Sequence, residues 1–205
     1  MTNGYSDTVA IQPSLADVQR AGFPIGGEPL VALDLVDTLM TVTDPPTDLL
    51  ADPHRAAAWW ALQVPRLPEG RTPDPVATRR LRAAIRDVLD AHLEGRTPQD
   101  TSVEDLNAAA AAVPTSPRLL AGGGSATRWH TEHGGNAALA AIAGEAIRLL
   151  ADADRLPKLR RCANPACSML FLAERRSRQW CASNVCGNRV RVARHYERTH
   201  GGDES

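Results

Sequence analysis

Aromatic residues and cysteine are scarce in most of this 205-residue sequence. Phe, Trp and Tyr make up 4% of it, and the first 161 residues contain no cysteine. Few aromatic residues and many alanines favour helices over sheets. No stretch approaches the ~18 apolar residues of a membrane-spanning helix, and the opening MTNGYSDTVAIQP lacks the basic start and apolar run of an export signal. We therefore expect a cytoplasmic protein without a membrane segment, whose thiols stay reduced.

The net charge of the whole chain is also small, at -1. That average conceals two oppositely charged parts. Residues 155–200 contain eleven arginines and lysines but only two acidic residues, a local charge of +9, whereas residues 1–154 carry -8. The length fits one medium domain or a domain with a small appendage. We therefore expect an acidic body, residues 1–154, and a basic tail, residues 155–205.

Capping signals and apolar periodicity predict a helical body. Asp52-Pro53 and Asp74-Pro75 each combine a capping residue with a proline in the first turn, and Gly95 is a typical helix end. The predicted helices cover residues 29–40, 53–62, 75–94, 102–113 and 136–151, after an irregular arm over residues 1–27. Residues 118–131 place three glycines between two short segments and predict a β-hairpin.

All four cysteines lie in the tail, as two C-x4-C pairs separated by thirteen residues: Cys162, Cys167, Cys181 and Cys186. Zinc prefers four tetrahedral ligands, and each short-spaced pair can supply one side of that arrangement. Two disulfides, or four unrelated buried thiols, are the alternatives. Disulfides conflict with a reducing compartment, and unrelated thiols would not pair so regularly. We predict one structural Zn²⁺ that supplies much of the folding energy of this small segment.

The tail sequence predicts a small treble-clef-like ββα finger. Met169–Ala173 is an apolar strand, Arg178–Cys181 is its expected partner, and a helix follows over Asn188–Thr199. With the body, this gives a mainly α fold: a helical N-terminal domain with a short β-hairpin, and a small C-terminal finger.

The residues of the tail carry a resemblance to a known family. WCASNVCGNRVRVARHYER (Trp180–Arg198), with the preceding C-x4-C, resembles the CGNR zinc finger, whose motif is Cys186-Gly187-Asn188-Arg189. In bacterial proteins that finger usually follows the ABATE domain of stress-induced transcription regulators. LVALDLVDTL (Leu30–Leu39) and RLLAGGGSATRW (Arg118–Trp129) are similar to segments of that domain, although Asp37 stands where the family's LDxVNT string has Asn. The resemblance implies zinc at the four cysteines and a tail that binds DNA.

The basic residues of the tail suit a nucleic-acid contact. Clustered arginines gain affinity for a duplex by displacing its counterions, and backbone N–H groups at a helix start attract phosphate. The predicted contacts are Arg175, Arg176, Arg178, Asn188, Arg191, Arg194, His195 and Arg198. A solvated basic face, or contact with the acidic body of the same chain, is the alternative. RNA or a protein partner is the alternative to DNA.

The body has fewer candidate functional residues. Asp34 and Asp37 lie three apart on the first predicted helix, so one face carries both, and they are candidates for a small-molecule pocket or for structural ion pairs. The body would then sense a ligand or form a homodimer. The sequence shows no nucleophile–base arrangement, and four cysteines close the zinc coordination sphere. We therefore predict that the protein is not an enzyme.

Overall fold

The fold is mainly helical in the computed structural model, which describes residues 15–20, 23, 29–192 and 199. The helices are α1 (Leu15–Arg20), α2 (Val31–Val36), α3 (Pro53–Gln63), α4 (Pro75–Glu94), α5 (Asp100–Ala111) and α6 (Ala137–Ala151). The strands are β1 (Leu39–Met40), β2 (Thr47–Asp48), β3 (Thr115–Leu119), β4 (Ser125–Trp129), β5 (Leu159–Arg161) and β6 (Leu170–Leu172). They form three antiparallel pairs in chain order. The predicted fold class is confirmed, although α1 lies in the expected irregular arm. No helix in the described ranges combines the length and apolarity needed to cross a membrane.

Local capping explains where three helices of the body begin. Asp52 and Asp74 each accept a hydrogen bond, at 2.8 Å, from the backbone N–H three residues further on, and a proline follows each of them. Asn136 caps α6 in the same way at 3.2 Å. α4 ends at Gly95, whose φ of +65° is left-handed and favours glycine. The predicted starts of α3, α4 and α6 follow from these local signals.

α2 is the buried centre of the body. All six of its residues are buried, and the helix contacts α4, α6 and β6. A helix without a polar face is stable only when other elements cover it on every side. Its N-cap residue offers no side-chain hydrogen bond, and the Glu145 carboxylate of α6 accepts one from the Ala32 N–H at 3.1 Å instead. Burial raises the pKa of Glu145.

The sequence predicted that this helix extends to Met40, which is wrong. Helical backbone ends at Val36, because the next residues make other bonds. The Thr38 hydroxyl donates to the Leu35 carbonyl at 2.6 Å, and the Asp37 carboxylate accepts a hydrogen bond from a distant strand. Leu39–Met40 then pair with Thr47–Asp48 as β1 and β2.

A buried arginine ties α4 to this turn. Arg82 donates to both carboxylate oxygens of Asp48 at 2.7 Å and to the Thr38 hydroxyl at 2.9 Å. The Arg82 side chain is 5% exposed. The hydrogen bond from Arg82 is the main cause that lowers the pKa of Asp48. Loss of either partner would leave the other charge poorly compensated.

The β3–β4 hairpin is packed against the body only near its base. Trp129 contacts a small cluster formed by Val113, Ala137 and Ala140, whereas Leu119 near the tip is 82% exposed. The glycine turn between the strands agrees with the sequence prediction, and β3 begins three residues before the predicted start.

The tail hairpin shares the core of the body. β6 pairs with β5, with Phe171 opposite Arg160. The expected pairing of 169–173 with Arg178–Cys181 is therefore wrong, and residues before the first cysteine supply the partner strand. The β6 residues are buried in the same apolar cluster as α2 and α4. After the hairpin, a π-helical turn, Ser183–Gly187, leads into α-helix at residues 188–192, which completes a ββα order. A lone two-stranded hairpin is barely stable in water, so the body supports this one.

Candidate metal centre and basic surface

The four cysteines converge on one point. The Sγ atoms of Cys162, Cys167, Cys181 and Cys186 all lie within 4.8 Å of one another. Cys181 Sγ lies 3.8 Å from Cys167 Sγ and 3.6 Å from Cys186 Sγ. Four sulfurs at about 2.3 Å from a tetrahedral Zn²⁺ are separated by about 3.8 Å. The spacing fits one zinc ion with four thiolates, and no position is left for a substrate.

Backbone turns hold each cysteine pair in this arrangement. In the first pair, the Cys167 N–H donates to the Asn164 carbonyl at 2.9 Å, and the Asn164 side chain accepts from the Ala166 N–H at 3.0 Å. In the second pair, the Cys186 N–H donates to the Ala182 carbonyl at 3.0 Å. These local bonds explain why a four-residue spacing brings both thiols of a pair to the same side.

Three of the four thiols have pKa values that their neighbours shift. Hydrogen bonds from Cys167 and Cys181 lower the pKa of the Cys162 thiol, and the bond with Cys162 raises the pKa values of the other two. Thiolates this close repel one another, so the four thiols do not all lose their protons without a compensating charge. A divalent cation at the centre would compensate that repulsion and release the protons.

Gly187 has a packing role beside the last cysteine. A side-chain carbon at this position would lie 3.0 Å from Cδ1 of Trp180, which directly precedes Cys181. Few real side chains approach a neighbour so closely. The glycine therefore lets the Trp180 ring pack against the second cysteine turn, which gives a physical reason for glycine in the C-G-N-R string.

Arg178 lies inside the finger, although the sequence predicted a phosphate contact. Its guanidinium donates to the carbonyls of Leu172 at 3.0 Å, Trp180 at 3.2 Å and Cys181 at 2.7 Å. It also lies 4.4 Å from the centre of the Phe171 ring. These bonds join β6 to the second cysteine pair. We therefore omit Arg178 from the proposed nucleic-acid surface.

Arg191 and Asn188 are also engaged with their own helix. Arg191 donates to the carbonyls of Gly187 at 3.1 Å and Ser183 at 3.3 Å and to the Asn188 side chain at 2.7 Å. Arg189 is exposed, and it has no hydrogen bond or ion pair within residues 29–192.

Arg175 and Arg176 occupy the turn after β6, and both are exposed. Neither pairs with an acidic side chain in the described part of the chain. The remaining predicted contacts, Arg194, His195 and Arg198, lie outside the described residues.

Part of the basic tail contacts acidic residues of the body. Arg161 of β5 donates to Asp90 at 2.9 Å and to Glu94 at 3.0 Å, both on α4. The Thr41 N–H also donates to the Ser168 hydroxyl at 3.1 Å. The expected alternative, contact between the tail and the acidic body, therefore holds for Arg161.

Asp34 and Asp37 are both about 1% exposed, and each has a structural partner. Asp34 accepts a hydrogen bond from Arg66 at 2.5 Å. Asp37 accepts one from the Leu170 N–H at 2.9 Å, which links the body to β6. An asparagine oxygen can accept the same bond, so the family's Asn is compatible with this link. A ligand role for these two residues stays a prediction.

Three side chains at the base of the β3–β4 hairpin form a hydrogen-bonded group that the sequence did not predict. Ser116 Oγ lies 2.8 Å from His130 Nε2, and His130 Nδ1 lies 3.0 Å from Glu132 Oε1. These hydrogen bonds place a hydroxyl beside an imidazole and a carboxylate, an arrangement that the sequence prediction did not include. The sequence offered no signal, because Ser116 is brought to His130 only by the pairing of β3 with β4. Glu132 is half exposed at the hairpin base.

The chain matches two families over most of its length. Residues 30–153 match ABATE, described as "Putative stress-induced transcription regulator", and residues 158–199 match the CGNR zinc finger. Neither description is that of an enzyme. No curated protein matches the chain. These matches confirm the two families, ABATE and the CGNR zinc finger, that the resemblance implied. The chain thus belongs to the ABATE family and carries a CGNR zinc finger, whose four cysteines are placed to hold one structural Zn²⁺.

Proposed function

We propose that this protein is a zinc-dependent DNA-binding regulator of transcription. The finger makes the DNA contact, and the body responds to a signal, either by binding a ligand or by oligomerising. The description of the ABATE family supports the regulatory part. The charge of the tail supports the DNA-binding part, because a duplex is densely negative and clustered arginines bind it by counterion release.

The proposal rests on the observation that some arginines of the tail form bonds within the protein while others are exposed. Arg178 and Arg191 are engaged in internal hydrogen bonds, and Arg161 is paired with acids of α4. Arg175, Arg176 and Arg189 remain exposed, and none of them has an acidic partner within residues 29–192. Arginines without such partners are available to phosphate oxygens.

Zinc and the body would hold these exposed arginines in place. The cysteine cluster fixes the turn that precedes Arg189, the buried strand β6 packs against α2, and β5 contacts α4. A surface positioned before binding loses less entropy when the complex forms. Arg194, His195 and Arg198, further along the predicted helix, are proposed to extend the contact.

A gel-shift titration with duplex genomic fragments tests the proposal at several salt concentrations. We expect Arg175→Ala, Arg176→Ala and Arg189→Ala, combined in one chain, to weaken binding and leave one zinc per chain. The slope of log K against log salt should flatten by about 0.9 for each phosphate that the variant no longer neutralises. Arg118→Ala with Arg128→Ala removes two exposed arginines from the body hairpin and serves as the control.

Salt-insensitive binding, or equally weakened binding by the finger and hairpin variants, would contradict the proposed surface. RNA and protein partners are the alternative outcome. Duplex DNA and structured RNA are therefore compared at the same salt concentration, and tighter RNA binding would reassign the finger to RNA. Four thiols placed for a metal also favour a reducing compartment, so we propose the cytoplasm as the location.

A further inference from the structure

A cleft of about 590 Å³ lies between α4, α5 and α6 in the body. Leu81 and Leu139 form its buried floor, and α5 contributes alanines, among them Ala108 and Ala109. Long apolar side chains on that face of α5 would fill the space, and alanine leaves it open. Pockets for small molecules usually measure ~300–1,000 Å³ and are mostly apolar. The cleft therefore has the size and lining of a small-molecule site.

Three contacts between different segments frame the opening of the cleft. The Asn136 side chain donates to the Arg71 carbonyl at 2.9 Å and so ties the start of α6 to the loop before α4. Arg80 of α4 forms a bidentate pair with Asp105 of α5. Gly135 lies so close to α5 that a side-chain carbon there would overlap the Ala112 carbonyl oxygen. These contacts hold the cleft open before any ligand arrives, which lowers the entropic cost of binding.

The charged groups around the cleft differ in whether they have partners. Arg80 and Asp105 neutralise each other, and Asp74 caps α4 by accepting from the Ala77 N–H. Arg71 is exposed, and its guanidinium has no hydrogen bond or ion pair with other residues in the described ranges. The Asp74 carboxylate is thus engaged at the start of α4, and Arg71 is a cation of the cleft that pairs with no carboxylate in the described ranges and lies beside an apolar floor. This combination favours a ligand with an apolar body and a single negative group.

We propose that this cleft binds a small organic anion, an apolar molecule with one carboxylate or sulfonate group held by Arg71. Its role as the signal input of the body rests on the regulatory function proposed above. Asp34 and Asp37, which the sequence suggested for a ligand, do not line this cleft.

Two fluorescent probes of nearly equal shape test the proposal on the zinc-loaded full chain. One is 1-anilinonaphthalene-8-sulfonate, and the other is N-phenyl-1-naphthylamine, which lacks the sulfonate. We expect saturable binding of one sulfonate probe per chain, roughly tenfold tighter than the neutral probe, as one charge-assisted hydrogen bond provides. Arg71→Ala should remove that tenfold difference, and Arg79→Ala, an exposed neighbour on α4 outside the cleft, should not.

A matched pair of substitutions on α5 locates the site. Ala108→Phe fills the cleft and should weaken both probes, whereas Ala111→Phe places the same side chain outside the cleft and should change neither. Both alanines are exposed, so the fold tolerates them, and circular dichroism confirms that each variant is folded. Equal binding by both phenylalanine variants, or no effect of Arg71→Ala on the sulfonate probe, would overturn the proposal. The assay contains no DNA, so its failure is independent of the DNA-binding proposal.

Discussion

Replacement of Arg178 by alanine separates a structural arginine of the finger from the proposed binding arginines. The guanidinium joins three backbone carbonyls and lies over the Phe171 ring, so it connects β6 to the second cysteine pair. We expect Arg178→Ala to weaken zinc retention and to lower the thermal stability of the chain. Arg176→Ala, at an exposed position two residues earlier, should leave both properties unchanged.

The size of the effect follows from the bonds that the substitution removes. A hydrogen bond from a charged donor contributes about 1.5–3 kcal/mol, and a partly exposed cation–π contact contributes about 0.5–1 kcal/mol. These values are not additive, and water can reach the carbonyls because Arg178 is only half buried. A net destabilisation of about 2–4 kcal/mol is therefore expected, which corresponds to at least roughly 30-fold weaker zinc binding. Arg178→Lys keeps the charge but not the planar fork and should recover only part of that stability.

Competition with a chromophoric zinc chelator measures the zinc affinity of each variant. Binding of the zinc-saturated variants to duplex DNA provides the second readout. Arg178→Ala should lose zinc affinity and keep DNA affinity once saturated, whereas Arg176→Ala should show the reverse. If Arg178→Ala retains wild-type zinc affinity and stability, the bracing role assigned to this arginine is wrong.

Three further predictions concern the core, the metal and the cleft. Asp48→Asn should cost about 2 kcal/mol at neutral pH in urea unfolding, because Arg82 loses its counter-charge. Since the pKa of Asp48 is lowered in the folded state, the contribution is present above the unfolded pKa of about 3.9 and is lost as the pH falls below it. The gap between wild type and variant should therefore close in acid. Cys181→Ser should abolish the binding of one zinc per chain, as measured by elemental analysis. It should also lower the melting temperature of the body, because the tail hairpin shares its core. An unchanged melting temperature would show that the two parts are independent. Gly135→Ala should destabilise the chain by about 1–3 kcal/mol in thermal unfolding, because φ is +78° and the methyl group meets the Ala112 carbonyl. Gly122→Ala, where a side-chain carbon meets nothing within 4 Å, should be neutral.

Features that depend on neighbouring residues were predictable. The Asp-Pro starts of α3 and α4 and the Gly95 end of α4 rest on bonds between residues at most four positions apart. The metal centre was predictable for a similar reason, because each cysteine pair closes through a short backbone turn. The short spacing between cysteines is therefore nearly sufficient to predict the ligands.

Predictions failed where a residue's partner lies far along the chain. α2 ends early because the Asp37 carboxylate accepts from Leu170, 133 residues away. β6 pairs with β5, because that pairing lets its apolar side chains reach the core under α2. The arginines of the tail look alike in sequence, and only their surroundings decide which one braces the finger and which one remains exposed.

The sequence by itself determined the helical class, the starts of α3, α4 and α6, and the zinc ligands, because these depend on backbone capping and on thiols a few residues apart. The tertiary structure alone decided the strand partner of β6, the role of each arginine and the cleft beside Arg71. Those features arise when groups separated by tens of residues are brought within a few ångströms, and no local pattern records which groups will meet.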